Sequence, residues 1–392
     1  MSEQPQGKRG YLAFLGAAHS FNHALFVIAP PLLSLILLDL NVSKFAIGTV
    51  TTVASFIYGL GALAGGPLGD RIGEVKTITL SLALSGLSTF VMLAAGATQQ
   101  LYLYALALIL MAAWASFYHP TANALISKSF RGNVAETMGL HGVGGTLGVV
   151  LTPTIAYFLG VQFGWPWAFI TFGVLCILLA LPFAKKLGKT RNNGRNRGSI
   201  IEVFRMRVLW SLLALNVAIG LFMKGIELFF PTYLVENRFI DSASAAIAFT
   251  LVLAAGVAGQ WLGGKAADKV GSKKVLIVTM AGICVGLMAL LFSPVYIVGI
   301  ASFILLYGVC FYAHQPALNA LTGFLSPENQ RGAVYGVFFF TSFGVGSISQ
   351  FLAGYLADAY SLDVSFYLLL VFALIALILS LKLPDKREDK TF

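Results

Sequence analysis

Charge is scarce in this chain. Only 11% of its 392 residues are Asp, Glu, Lys or Arg, less than half the roughly 25% of an ordinary soluble domain, and that excludes a water-soluble multidomain enzyme. Cysteine is rarer still. Cys176, Cys284 and Cys310 are scattered through apolar runs with no CxxC spacing, which excludes a disulfide framework and a thiolate zinc site. The sequence has no HExxH, no nucleotide-binding fingerprint and no pair of acids at glycosidase-like spacing. The run GVGGTLG (142–148) lacks the Lys-Ser/Thr that a phosphate loop requires, and reads as helix packing. What is abundant is apolar surface: 58% hydrophobic residues, with 31 Phe, 14 Tyr and 5 Trp, and a mean hydropathy of +0.83. So many aromatics rule out a solvated coil.

A helix that crosses a bilayer needs about 20 apolar residues. Hydrophobic runs between polar punctuation predict spans near 11–38, 45–69, 77–97, 102–126, 137–160 and 166–184, then 208–235, 244–266, 275–293, 295–324, 334–358 and 365–383. This is an all-α integral membrane fold with twelve transmembrane helices. The net charge of +10 follows the same plan: 23 of the 26 Lys and Arg fall on one side of that segmentation. Lys44 and Arg238 fall on the other side, and Lys224 falls inside a span. The positive-inside rule then predicts a multi-pass protein of the cell (cytoplasmic) membrane with both termini in the cytoplasm. The basic excess is a topology signal, supported by anionic lipid headgroups, and nucleic acid is not an expected partner because no reading motif accompanies it.

The stretch KKLGKTRNNGRNRGSIIEVFRMR (185–207) cannot sit in lipid and divides the chain into an N-terminal six-helix bundle (1–184), a cytoplasmic linker (185–207) and a C-terminal six-helix bundle (208–392). The halves repeat one another. GGPLGDRIGEVK (65–76) aligns with GGKAADKVGSKK (263–274), HPTANAL (119–125) with QPALNAL (315–321), and Arg131-Gly132 with Arg331-Gly332, at offsets of 196 to 200 residues. Parallel duplication of a six-span unit is an architecture of secondary transporters that rock two bundles about a midplane site. With no ATP-binding domain in the sequence, an ion gradient is the expected energy source.

These motifs carry a family resemblance over nearly the whole length: the chain resembles the major facilitator superfamily. That superfamily's loop motif appears as Gly66, Leu68, Asp70, Arg71 and Gly73, departing at Glu74 and Val75, and returns as Gly264, Asp268, Lys269, Gly271, Lys273 and Lys274. A narrower resemblance is to fosmidomycin-resistance-type, drug:proton antiporter exporters. Their H-x-x-N-D of the first span reads His19-Ser20-Phe21-Asn22-His23 here, with His for the acid, and their F-H-P-E of the fourth reads Tyr118-His119-Pro120-Thr121, with Thr for Glu. The exporters' fifth-span pattern of spaced glycines and a Gly-Pro keeps its register as Gly139, Gly148, Thr152, Pro153 and Ala156. The resemblance implies the two-bundle fold and a conformational gate built on Asp70, Arg71, Arg131, Gly139, Gly148, Pro153, Asp268, Lys269 and Arg331.

Ionisable and amide side chains inside the spans are the candidates for substrate and proton coupling, because such groups are costly in lipid and turn toward a cavity or a partner. All five histidines lie in spans. His19 and His23 share one helical face, with Asn22 beside them, and His119, His141 and His314 lie elsewhere. Imidazole changes charge near neutral pH, which suits a proton relay. Lys224 and Glu227 form an acid–base pair at i,i+3 in the seventh span, where Lys224 would attract an anionic group and Glu227 exchange a proton. Asn123 and Asn319 each follow a helix-bending proline by three residues. Tyr118 and Tyr233 are among the aromatics expected near a cavity.

The expected function is proton-coupled secondary transport of small amphipathic or anionic molecules by alternating access, of the drug-efflux type. The alternatives are a proton symporter or facilitator taking up a sugar or an organic anion, and a transition-metal exporter using the histidines. No enzyme activity, cofactor or resident metal is expected. The expected partners are a small-molecule substrate, protons and membrane lipid, and the chain is expected to act as a monomer.

Overall fold

The computed structural model describes residues 6–129, 134–185, 200–327 and 330–383, and all the regular structure in them is helical. Among these residues, 12 helical segments are long and apolar enough to cross a membrane. The chain divides into two compact units, Met1–Val42 with Val53–Gly194, and Ser43–Thr52 with Arg195–Phe392. Residues 43–52, placed with the N-terminal half by the sequence division, therefore group with the second unit.

In the first unit the first span is two helices, α1 (Gln6–Ala24) and α2 (Ala29–Leu40), the second is α3 (Lys44–Ile72), whose start as far as Thr52 groups with the second unit, and the third is α4 (Glu74–Ser88) and α5 (Val91–Thr98). The fourth is α6 (Leu101–Ala115) and α7 (Tyr118–Ser129), the fifth α8 (Val134–Phe163) and the sixth α9 (Trp165–Lys185). Helix α1 packs on α8, and α4 on α9.

Three of these spans break where the sequence predicts continuous helix, and proline is the cause in the first and the fourth. Pro30 and Pro31 stand in the first turn of α2. Lacking N–H groups, they cannot bond the carbonyls of Phe26 and Val27, so helix cannot run through from α1. The chain instead tightens into i,i+3 bonds, Phe26 N–H to His23 O (3.1 Å) and Val27 N–H to Ala24 O (3.0 Å). In the fourth span, Pro120 withholds a hydrogen bond from the Ser116 carbonyl and presses its ring there, and the helix opens between Ala115 and Tyr118. A freed carbonyl in a membrane needs a donor from the protein. Side chains supply them: Ser116 Oγ to Ala113 O (2.6 Å), Ser81 Oγ to Trp114 O (2.8 Å) and Asn22 Nδ2 to Ala115 O (3.1 Å).

The second unit opens with α10 (Ile200–Arg205) and a 3₁₀ turn (Arg207–Leu209), followed by α11 (Trp210–Arg238), α12 (Ser242–Val270), α13 (Ser272–Phe292) and α14 (Tyr296–Leu325). The stretch expected as linker, 185–207, is thus partly helical: Lys185 closes α9, 186–199 lie outside the described residues, and α10 follows. The eleventh span is α15 (Arg331–Phe339), a π-helical segment (Phe340–Val345) and α16 (Ile348–Ala359), and α17 (Leu362–Leu381) is the twelfth. Helices α12 and α13 pack on α14, and α11 on α17.

The duplication read from sequence is repeated in each unit's own packing. Helices α3 and α12 each run 29 residues and end on glycines in the left-handed region, Gly73 (φ 96) and Gly271 (φ 93), a conformation that an L side chain resists. On α3, a Cβ at Gly65 would lie 3.0 Å from Phe117 Cα, and on α12 a Cβ at Gly263 would lie 2.5 Å from Ala313 Cα. Small residues at corresponding positions let the same two helices of each unit approach backbone to backbone.

The two basic residues on the sparsely charged side are both engaged within the second unit. Lys44 pairs with Glu236 (3.0 Å), while the backbone N–H groups of Lys44 and Phe45 donate to the Asp358 carboxylate (3.2 and 2.7 Å). Arg238, only 9% exposed, donates to the carbonyls of Leu290 and Leu291 at the end of α13, at 3.1 to 3.3 Å. Its guanidinium lies over the Tyr233 ring (4.8 Å), and the Tyr233 hydroxyl donates to Asp363 (2.9 Å).

Candidate functional site

Among the described residues, each unit holds a cluster of ionisable side chains inside its spans. In the first unit, the break after Ala24 and the break before Tyr118 bring His19, His23 and His119 into a triangle of imidazoles, with ring centroids 4.7 Å (His19–His23), 4.9 Å (His19–His119) and 4.9 Å (His23–His119) apart. One ring nitrogen from each lies within 4.8 Å of the other two. The fourth imidazole, His141 of α8, stacks on His19 at 4.1 Å and 9°. Asn22 is fully buried, donating to Ala115 O and accepting from the Tyr58 hydroxyl (3.4 Å), so it locks α1 to the opening in the fourth span.

Hydrogen-bond partners fix the tautomers. His19 Nδ1 lies 2.7 Å from the His141 carbonyl. A carbonyl only accepts, so Nδ1 carries the proton and Nε2 carries the lone pair. That Nε2 is buried and has no hydrogen-bond partner. The Tyr118 hydroxyl spends its single proton on Leu15 O (2.7 Å), so His141 Nε2, 3.0 Å away, donates to the Tyr118 oxygen. His141 and Tyr118 are therefore supports that hold His19 in one orientation.

The close approach of α1 and α8 depends on missing side chains. The Ser20 hydroxyl donates to Gly144 O, and a Cβ at Gly148 would lie 2.5 Å from Ser20 Cα and from its carbonyl carbon. The fifth-span glycine pattern is thus the seat of the first span. Pro153 is buried within α8, and the surroundings of Gly139 lie outside the described residues.

In the second unit, Lys224 and Glu227 sit midway along α11, with Nζ 2.6 Å from the carboxylate and side chains 7% and 25% exposed. The ammonium also lies 4.4 Å from the centre of the Phe343 ring. Phe343 belongs to the π-helical segment, whose widened turn is stitched to α11 by Asn216. Its Nδ2 donates to Phe338 O (2.6 Å) and Thr341 Oγ1 (2.9 Å). A buried cation is held here by one carboxylate and one aromatic face.

The remaining predicted residues join neither centre. His314 is buried in α14, its ring 5.2 Å from that of Phe311. Asn123 and Asn319 are exposed, and the Asn319 carbonyl accepts from the Tyr335 hydroxyl (3.0 Å). Asp70 and Arg71 close α3 as Asp268 and Lys269 close α12, with Asp70 partly buried and the other three exposed. Arg331 opens α15 and donates to Gly323 O (3.3 Å). Arg131 lies outside the described residues. Sequence reasoning counted His141 among the in-span histidines without giving it a partner, and it missed Asn216 and Phe343, although Gly344 and Gly346 mark an irregular turn there.

Comparison with known proteins agrees with the fold and the motifs. The chain is 23% identical over 411 residues to the "Fosmidomycin resistance protein" of Escherichia coli (strain K12), covering 99% of both chains. It is 24% identical over 358 residues to that organism's "Probable L-galactonate transporter", covering 82% of this chain and 76% of the relative. A solved bacterial homolog to the human lysosomal transporter Spinster shares the fold at a TM-score of 0.78 and 17% identity, covering 97% of this chain and 98% of its own. The family model of the Major Facilitator Superfamily matches residues 12–350. With that span matched and twelve membrane-length helices in two units, the chain is a multi-pass membrane transporter belonging to the Major Facilitator Superfamily.

Proposed function

We propose that this transporter couples the movement of a small organic anion to protons by alternating access, with Lys224 contacting the anion and Glu227 carrying the proton. The carrying observation is the buried pair itself. In the resting pair the two charges satisfy each other. An incoming carboxylate or phosphonate that takes Lys224 leaves Glu227 without its counter-charge, and a proton arriving with the anion restores the charge balance of the site. Anion and proton thus load together, which is the thermodynamic signature of symport. The name of one relative, an L-galactonate transporter, fits an organic acid as cargo.

Proton-driven efflux of drug-type molecules is the second reading. It is supported by whole-length similarity to the Fosmidomycin resistance protein and by the glycine seat between α1 and α8. Both readings take Asn22 and the imidazoles of His19, His23 and His119 as hydrogen-bonding groups for cargo, with His314, Asn123 and Asn319 as further polar contacts. Both also take the paired ends of α3 and α12 (Asp70–Arg71 and Asp268–Lys269), with Arg131 and Arg331, as latches that differ between conformations. The basic excess supports a cytoplasmic-membrane protein with cytoplasmic termini.

The test is a proteoliposome with a pH dye sealed inside. Adding L-galactonate or a related organic acid outside should acidify the lumen, and Glu227→Gln should abolish the signal. Alkalinisation would select efflux by exchange. Substrate flux with no lumenal pH change would refute proton coupling in either form.

A further inference from the structure

We infer that His19, His23 and His119 form a binding site for a divalent first-row transition metal of the zinc, cobalt and nickel class, a property separate from the proton-coupling reading.

Four observations converge on it. His19 and His23 stand at i,i+4 on one face of α1, the spacing by which a helix offers two imidazoles to one zinc ion. The third imidazole, His119, enters from α7 immediately after the break in the fourth span, so that all three ring nitrogens lie within 4.8 Å of one another. His19 is already prepared as a ligand: its Nδ1–H is tied to the His141 carbonyl at 2.7 Å, which forces the lone pair onto a buried Nε2 that has no hydrogen-bond partner. That outer hydrogen bond to a carbonyl is the arrangement that orients metal-bound histidine. Finally, the site's outer layer is built in turn, with His141 stacked on His19 and hydrogen-bonded through Tyr118 to Leu15 O.

The geometry needs little adjustment. Tetrahedral zinc with Zn–N bonds of about 2.0–2.1 Å places its nitrogens roughly 3.4 Å apart, so the triangle must contract by about 1.4 Å at most. His23 and His119 both sit beside the irregular ends of helices and are only partly buried, whereas His19 is fixed. The ligand chemistry sets the selectivity. Three neutral imidazoles with no carboxylate in the group suit zinc, cobalt, nickel or copper and give nothing to the hard ions magnesium and calcium. Three ligands leave a fourth position for water or an anionic oxygen, the open form of a zinc site.

The experiment uses the full chain, purified in detergent without a polyhistidine tag and stripped with EDTA. Titration with Co(II) should give intense visible d–d absorption of a four-coordinate ion, saturating at one equivalent in the micromolar range. Zn(II) should displace it and raise the melting temperature, while Mg(II) should do neither. His23→Gln and His119→Gln should each weaken Co(II) binding at least about 10-fold, and His314→Gln should leave it intact. Absence of saturable binding to the wild-type chain, the weak absorption of a six-coordinate ion, or equal loss in His314→Gln would each overturn the assignment. The wild-type spectrum decides the matter even if a variant fails to fold. Proton coupling through Glu227 stands or falls separately, in the liposome assay.

Discussion

The Lys224–Glu227 pair makes a quantitative prediction that separates a working ion pair from incidental neighbours. Breaking a fully buried pair by removing one partner costs about 3–5 kcal/mol, because the survivor stays charged and desolvated. Here Lys224 is 7% exposed and Glu227 25%, with the nitrogen and oxygen 2.6 Å apart. Glu227→Gln strands the less exposed member, an ammonium whose remaining partner is the Phe343 ring at 4.4 Å. A cation–π contact returns about 0.5–2 kcal/mol and is already present in the wild type, so the loss should be about 3 kcal/mol. Lys224→Met strands a carboxylate that reaches water and can take up a proton, and should cost about half as much. Combining the two replaces the pair by an uncharged Met and Gln of similar size and should return to within about 1 kcal/mol of wild type. The cycle then shows a non-additivity of about 3.5–4.5 kcal/mol, above the roughly 3 kcal/mol that usually bounds residues in contact. Thermal unfolding can be followed with a thiol-reactive dye, since Cys176 and Cys284 are buried in the folded protein. The melting temperatures should rank Glu227→Gln lowest, Lys224→Met next, and the double variant near wild type. A double variant that melts at or below Glu227→Gln would refute the pairing argument, and with it the proposal that anion and proton load together.

Two further contrasts follow from the packing. Gly148→Leu should abolish transport and cost about 3 kcal/mol or more, because its Cβ would lie 2.5 Å from the backbone of Ser20, whereas Gly142→Ala, with no atom within 4 Å of its Cβ, should raise the melting temperature slightly; equal tolerance at both positions would remove the glycine-seat argument. Asp358→Ala should cost about 1 kcal/mol, because its carboxylate serves the first two N–H groups of α3, while Glu236→Ala, which breaks a surface ion pair with Lys44, should cost less than about 0.5 kcal/mol; melting temperatures in the reverse order would show that the cap is not what holds the start of α3.

The spans, the duplication and the family were legible in the sequence because each rests on a local signal. A 20-residue apolar run needs no tertiary partner to be recognised, and Gly73 and Gly271 announce the same turn twice. What the sequence concealed were consequences of proline that depend on surroundings. Pro120 breaks its helix and Pro316 does not, although both follow the same motif. The difference lies in the partners: Ser116, Ser81 and Asn22 stand ready to satisfy the carbonyls that a break exposes in the first unit. Pro30-Pro31 was a readable stop signal inside a run otherwise long enough for one helix. The roles of His141 and Arg238 were beyond any local rule. One was counted only as an in-span histidine, and its carbonyl and ring orient His19. The other was counted as a topology charge and is a carbonyl clamp.

The two units therefore share a scaffold and diverge in chemistry, and the divergence follows from where each breaks its regular helix. Continuous helix consumes its own carbonyls and N–H groups, so an apolar span gains a polar site only by adding ionisable side chains or by opening its backbone. The first unit interrupts three spans and places histidines at two of the openings, in the first and the fourth. The second keeps α14 intact and widens the eleventh span into a π turn, which carries Phe343 to the one cation buried midway along α11. Imidazoles at irregular helix ends can adjust by an ångström to grip a small ligand. A lysine and a glutamate one turn apart on rigid helix can respond only by changing partner or protonation. On this argument, the first unit is built for coordination and the second for charge exchange. His23→Gln should then weaken Co(II) binding at least about 10-fold, whereas Glu227→Gln should leave it unchanged.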